Sequence, residues 1–237
     1  FKPDKNAPEY KAVVDASKAS QKAPLDLLQD AGAIDSPWDF HWQRFLFEWF
    51  PKGTGFPSLQ APAITDELPL ASVQAFSIDD SHTTEIDDAL SVQGLGSGEV
   101  VVGIHIAAPG LAVTPDSAVD QIGRQRLSTV YMPGHKITML PSDLVQTYTL
   151  EGGRDCPAVS LYVRIEEASL RVLSSETRLE RVPIVANLRH DRLDTVVTEA
   201  WLAAEVPDTR IPDDHPESGI DALPHAELAF LHRLAQS

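Results

Sequence analysis

The chain has 237 residues, 43% hydrophobic and 23% charged, enough for one medium domain or one domain plus a smaller partner, which excludes a disordered segment and a miniprotein. A net charge of −16 excludes binding nucleic acid by bulk electrostatics alone, and the acid excess is concentrated: residues 61–150 hold 3 Lys/Arg against 11 Asp/Glu. The single cysteine, Cys156, excludes an internal disulfide and a thiolate metal cluster, so any metal must sit on carboxylates or histidines.

In chain order, Ala23–Ala31 predicts a short helix, with Pro24 at its first position and Leu25 and Leu28 on one face. From Ser36 the run SPWDFHWQRFLFEWF predicts an amphipathic helix. Ser36 is its N-cap, Pro37 its first residue, and Trp38, Trp42, Phe45 and Trp49 are spaced for core packing rather than base stacking. Pro51, Gly53, Gly55, Pro57, Pro62 and Pro69 then mark a break. Short β-rich runs follow at 73–78, 89–93 and 99–106. GLGSG at 94–98 lies between two of them; a phosphate loop would lead into a helix, and here a strand follows, so it reads as a hairpin turn. Ser117–Leu127 predicts a helix, Ala158–Ile165 and Leu179–Val182 strands, Val185–Ala204 a long helix, and Asp221–Gln236 a final helical pattern. The organisation expected is a helical region over 1–60, a linker over 61–72 and an α+β domain over 73–237, with a mixed or antiparallel sheet and flanking helices. No apolar run approaches the roughly 18 to 20 residues that span a bilayer, and FKPDKNAPEY has no signal-peptide pattern, so the expectation is a cytoplasmic protein with no membrane partner.

The densest chemistry is in IDDSHTTEIDDAL, residues 78–90, where five carboxylates fall within ten residues between two apolar strands. Like charges this close repel unless a cation or solvent relieves them, and all-oxygen sites suit hard cations such as Mg²⁺. Three other readings compete. A solvated loop with Thr84 and Asp87 as a capping pattern is compatible with the spacing. A calcium loop starting at Asp79 fails, because its sixth position is Thr84 instead of glycine and its twelfth is Leu90 instead of glutamate. A serine hydrolase using Ser81 and His82 lacks the strand–turn–helix elbow around the serine.

IDD-x(6)-DDAL, then VGIHIA, then RQRLSTVYMPGHKITMLPSDL, then TLEGGRDCPAVS, in this order over roughly 70–200, resemble the catalytic RNB domain of the ribonuclease II and ribonuclease R family. The resemblance implies a Mg²⁺-dependent (Mn²⁺ as a substitute), processive 3′ to 5′ exoribonuclease that hydrolyses single-stranded RNA to nucleoside 5′-monophosphates. It places the family's active-site acids on Asp79, Glu85, Asp87 and Asp88, with Asp79, Asp87 and Asp88 as metal ligands. It implies that Tyr131 stacks on bases near the RNA 3′ end, and that His190 stands where relatives carry an aromatic residue. Arg124 and Arg126 are open to two readings, phosphate contacts or pairs with nearby acids. His105, inside VGIHIA, reads as structural.

The sequence departs from the family pattern at two positions: Glu85 stands where an aspartate is usual, and Ala108 replaces an acid common after the HIA motif. The family's downstream arginine-rich segment has no counterpart before Ser237, and the expectation is an RNB core incomplete on its C-terminal side, with residues 1–60 as the tail of a winged-helix module. The alternatives are a catalytically weakened homologue that binds RNA without cutting it, and a divalent-ion-binding regulatory domain.

Overall fold

The computed structural model describes residues 4–57, 67–205, 207–210 and 222–237, and the chain divides into two compact units, Phe1–Ser58 and Leu59–Ser237. The first contains α1 (Pro8–Ser20), α2 (Pro24–Asp30) and α3 (Pro37–Trp49). Each begins at a proline, where the missing N–H removes no intrahelical bond. Ser36 caps α3 as expected, its Oγ accepting from Asp39 N at 3.0 Å. The aromatic stripe forms a core only in part. Trp42 is buried and stacks on Trp38 and Phe45 with centroids 6.1 and 6.0 Å away, whereas Trp38 and Trp49 are 37% and 67% exposed. Core packing therefore holds for Trp42 and not for Trp38 or Trp49, because three short helices enclose too little volume for four large rings.

The second unit runs β1 (Ala75–Asp79), β2 (Asp88–Gln93), β3 (Glu99–Ala107), a 3₁₀ turn (Pro109–Ala112), α4 (Ala118–Arg126), β4 (Val130–Met132), β5 (His135–Ile137), α5 (Ser142–Tyr148), β6 (Arg154–Glu166), β7 (Val172–Arg189), α6 (His190–Val196), α7 (Glu199–Leu202) and α8 (His225–Ala235). Five strands close into a barrel in the order β1-β2-β3-β6-β7. Every pair is antiparallel except β7–β1, which is parallel. A meander with an odd number of strands can close only this way, since its first and last strands point in the same direction. The α+β class and the mixed sheet are as the sequence implies, and 94–98 is the turn between β2 and β3.

Small residues, among them Ala75, Ala89, Ala158 and Cys156, let the barrel interior close around Tyr162, Val182 and Ile184. Within it, the buried His105 ring lies 2.9 Å from Ser91 Oγ and 2.8 Å from Ser160 Oγ, a satisfied structural histidine. Outside the barrel, Phe76 and Leu188 pack with Trp201 and Leu228, and Phe230 of α8 covers Val100 and Val102.

The expected helix over Val185–Ala204 is not present: β7 continues to Arg189, the expected strand Leu179–Val182 is only its middle, and two short helices follow. The cause is a β-bulge. Ala75 pairs with Ile184 but Phe76 with Ala186, so Val185 and Ala186 both pack outward, and the period-2 signal is broken there. Of the expected linker 61–72, residues 61–66 lie outside the described residues. Leu70 already bridges Arg181, and Ala71 N donates to Arg181 O at 2.8 Å. Asp221, at the start of the last helical pattern, also lies outside them. No helix among the described residues is long and apolar enough to cross a membrane.

Candidate active site

The acidic segment is the connection between β1 and β2 at one end of the barrel. Asp79 ends β1, Asp88 opens β2, and 80–87 loops between them. The loop is pinned through its backbone. Arg189 Nη1 donates to Asp80 O and Thr83 O at 3.0 and 3.2 Å, Ile86 N donates to Thr149 Oγ1 at 2.7 Å, and Ala107 N donates to Asp87 O at 2.8 Å. These bonds fix the backbone of the loop and so keep its carboxylates on one short, ordered connection.

The bulge in β7 gives Asp79 its surroundings. After it, Asn187 pairs with Ser77 and Arg189 with Asp79 across the parallel closure. Asn187 Nδ2 donates to Ser77 Oγ at 2.9 Å and to Leu150 O at 2.9 Å, while its Oδ1 accepts from Gly152 N at 2.7 Å. Ser77 in turn donates to Asp79 Oδ2 at 2.6 Å. Burial pushes the Asp79 carboxyl above the ordinary carboxylate range; the Ser77 bond, Arg189 and His190 oppose this, and the negative charge of Asp88 adds to it. The Asp87 carboxyl is also pushed up, by partial desolvation first and then by Glu85, Asp88 and Asp79, with Lys136 opposing. Asp79, Asp87 and Asp88 thus lie within one another's fields, and Glu85 acts on Asp87.

Their donors are hard oxygens, the chemistry a Mg²⁺ ion takes, and the crowding is of the kind a cation relieves. Among the described residues, no three His, Cys, Asp or Glu side chains converge on one point as a metal site. The acids are close in the chain and feel one another's charge, but they are not preassembled as a metal site among the described residues.

Glu85 is held by an ion pair: Lys136 Nζ lies 2.7 Å from its Oε1. Lys136 is the cross-strand partner of Tyr131 in the β4–β5 hairpin, and its ammonium is 5.6 Å from the centre of the Tyr131 ring, which is 69% exposed. The hairpin therefore brings Tyr131 to the acidic loop. His190, exposed at the start of α6, is close enough to influence Asp79. Arg124 is engaged with Asp120 at 2.8 Å and Asp116 at 3.5 Å on its exposed helix face, and Arg126 Nη1 donates to Thr138 O at 2.6 Å. Ser81 and His82 lie in a loop between two strands, β1 and β2, so the strand–turn–helix elbow of a serine hydrolase is not present around Ser81. A cleft of about 600 Å³ lies beside the loop, lined by Ser81, Thr83, Thr84, Gln146, Arg189 and Arg192, and none of the four acids borders it.

Sequence reasoning missed Ser77, Lys136, Asn187 and Arg189. Each acts through a partner many residues away or on an adjacent strand, and only NLR at 187–189 and HKI at 135–137 offered polar residues at strand ends as a signal.

Residues 68–237 match the RNB domain family. The chain belongs to this family. It is 32% identical over 143 residues to exoribonuclease 2 of Vibrio cholerae, covering 57% of this chain and 21% of the relative. Mycoplasma genitalium RNase R in complex with ribose-methylated single-stranded RNA superposes with a TM-score of 0.55 at 18% identity, covering 76% of this chain and 26% of that one. Yeast Ssd1, a pseudonuclease, superposes with a TM-score of 0.53 at 21% identity, covering 65% and 19%. The chain spans about a fifth of the length of the curated relatives it first matches. The β1–β2 acidic loop and the β4–β5 hairpin both lie inside the RNB match.

Proposed function

We propose that this chain is the acid-bearing part of a 3′ to 5′ exoribonuclease that acts processively on single-stranded RNA and releases nucleoside 5′-monophosphates. The observation that supports this reading most is the pinned β1–β2 loop, which keeps Asp79, Asp87 and Asp88 in one another's fields at the mouth of an RNB barrel. Asp79, Asp87 and Asp88 would hold Mg²⁺, or Mn²⁺ in its place. Such an ion, when bound, stabilises the negative charge that builds on the attacking and leaving oxygens at phosphorus. Glu85 completes the acidic set. Ser77 keeps Asp79 oriented and favours its ionised form. Tyr131 offers an exposed ring on which a base near the 3′ end can stack, which is sequence-tolerant and suits a nonspecific nuclease. His190 is a second stacking candidate beside Asp79, and Arg124, itself exposed, can meet a phosphate by exchanging its carboxylate partners Asp116 and Asp120. A cytoplasmic location belongs to the same reading.

A second reading has its own observation. The acids do not converge as a metal site among the described residues, and Glu85 is held by Lys136, as suits a homologue that retains RNA without cutting it. Incubating the protein with 5′-labelled single-stranded RNA and Mg²⁺ separates the two. A ladder shortening from the 3′ end supports the nuclease; a retained, full-length RNA supports the binder and overturns the proposal.

A further inference from the structure

We propose that Lys136 is a positioning residue that clamps the β4–β5 hairpin to the acidic loop through Glu85, and so sets the distance between the Tyr131 ring and the acids. This rests on the exonuclease reading for its consequence, since that distance would fix how short the final product becomes.

Two strands of three residues each form a sheet of their own, and a lone hairpin of this size is marginal in water. Its turn is tight: Met132 pairs with His135, and Pro133 and Gly134 make the reversal, with Gly134 at φ +77°, where a side chain would be strained. The end away from the turn is anchored. Arg126 donates to Thr138 O, Met139 N donates to Thr129 Oγ1 at 3.2 Å, and Ile137 is buried. Nearer the turn, Lys136 is joined to Glu85 across the sequence. The Lys136 and Glu85 side chains are 35% and 16% exposed, so this pair is less open to solvent than the other ion pairs among the described residues. Partial burial makes a charge-assisted bond more directional and less screened than an exposed one.

The same ammonium lies 5.6 Å from the Tyr131 centroid, so one cation touches the stacking ring and the acidic loop at once. The extra methylene of Glu85, compared with an aspartate, lengthens the arm that reaches Lys136. With the pair intact, the hairpin that carries the ring cannot move away from the acidic loop without breaking a partly buried ion pair. Without it, the hairpin near its turn loses this tie to the acidic loop.

The test compares wild type with Lys136→Met, which keeps most of the aliphatic stem and removes the charge, and with Lys136→Arg, which restores the charge. Two measurements are made: the terminal product length on 5′-labelled single-stranded RNA with Mg²⁺, and hydrogen exchange of the amides of residues 130–137 without RNA. The clamp predicts that Lys136→Met spreads the terminal product over additional lengths while the initial rate on long RNA falls by less than about tenfold. It also predicts faster exchange across the hairpin, with Lys136→Arg returning both readouts toward wild type. Unchanged exchange in Lys136→Met overturns the clamp whatever the RNA assay gives. Faster exchange with an unchanged product pattern overturns its role in setting length. A wild type that never shortens RNA overturns the exonuclease reading instead, and the exchange data still judge the clamp.

Discussion

Ser77 Oγ donates to Asp79 Oδ2 at 2.6 Å from two residues back along β1. Because the same hydroxyl accepts from Asn187 Nδ2, its proton is directed at the carboxylate. The bond favours ionised Asp79 and partly offsets the upward push of burial. Ser77→Ala should therefore raise the Asp79 pKa further and move the acid limb of the pH–rate profile to higher pH. On the alkaline plateau the loss should stay below about tenfold, because the carboxylate is then ionised in both proteins. An acid limb that stays in place would falsify the assigned role.

Asp87 carries a trade between stability and activity. Its carboxyl is raised above the ordinary value, so the folded state holds the proton more tightly than the unfolded state does. The contribution is favourable at low pH and is lost as pH rises from the ordinary carboxylate range through the folded value. Asp87→Asn removes the charge and should raise the thermal midpoint at pH 7 without divalent ions. The same change should lower turnover by at least about 100-fold with RNA binding retained. Calorimetry and single-turnover cleavage check the two halves; near-wild-type cleavage would remove Asp87 from the site.

The strands that alternate cleanly were legible. In β3, Val100 and Val102 pack on α8 while Gly103 and His105 face inward, and the GLGSG turn explained how the chain returns. The end of β7 was not legible. The bulge turns Val185 and Ala186 outward together, and with Leu188, Leu193 and Val196 the apolar spacing imitates a helix. In the site, the acids were readable because five carboxylates in ten residues have few bland explanations. Lys136 was not, because its partner Glu85 lies 51 positions earlier in the chain, and nothing local in HKI distinguishes it from a solvated lysine. Asn187 and Ser77 were hidden for the same reason: each gains its meaning from register across the β7–β1 closure.

Acid should loosen the barrel from within through His105. Burial lowers its pKa to about 4, so the folded state holds it neutral between Ser91 and Ser160. Between that value and about 6.5 the unfolded chain binds the extra proton, so stability falls as pH drops through this window. The loss is about 2 kcal/mol at pH 5 and about 3 kcal/mol once pH is below the folded value. Urea midpoints for wild type and His105→Gln at pH 7 and pH 5 isolate the effect. The variant starts less stable and should lose less on acidification; equal losses would show that His105 is not the group responsible.

Gly103 is the small residue this network requires. A Cβ there would lie 2.4 Å from Ser91 Oγ and 2.7 Å from His105 Nε2. Neither group can retreat without leaving a buried polar atom unpaired. Gly103→Ala should therefore cost about 3 kcal/mol, at the upper end for a single added methyl. A denaturation midpoint within error of wild type would mean that the barrel can expand at this level.

Tyr131 is where fold and proposed chemistry meet most directly. Its ring is 69% exposed, it belongs to a hairpin outside the barrel, and it does not belong to the apolar cores, so truncating it should disturb packing little. If a base stacks there, Tyr131→Ala removes roughly 1 to 3 kcal/mol of affinity per stacked base. Long RNA makes many other contacts and should still be shortened, while RNA of a few nucleotides should dissociate early and leave a longer terminal product. Tyr131→Phe keeps the ring and should leave the terminal length unchanged. A plot of cleavage against RNA length for the three proteins therefore carries the decision. Coincident curves for wild type and Tyr131→Ala would return Tyr131 to an ordinary surface tyrosine, whereas divergence confined to short RNA would place a base on its ring.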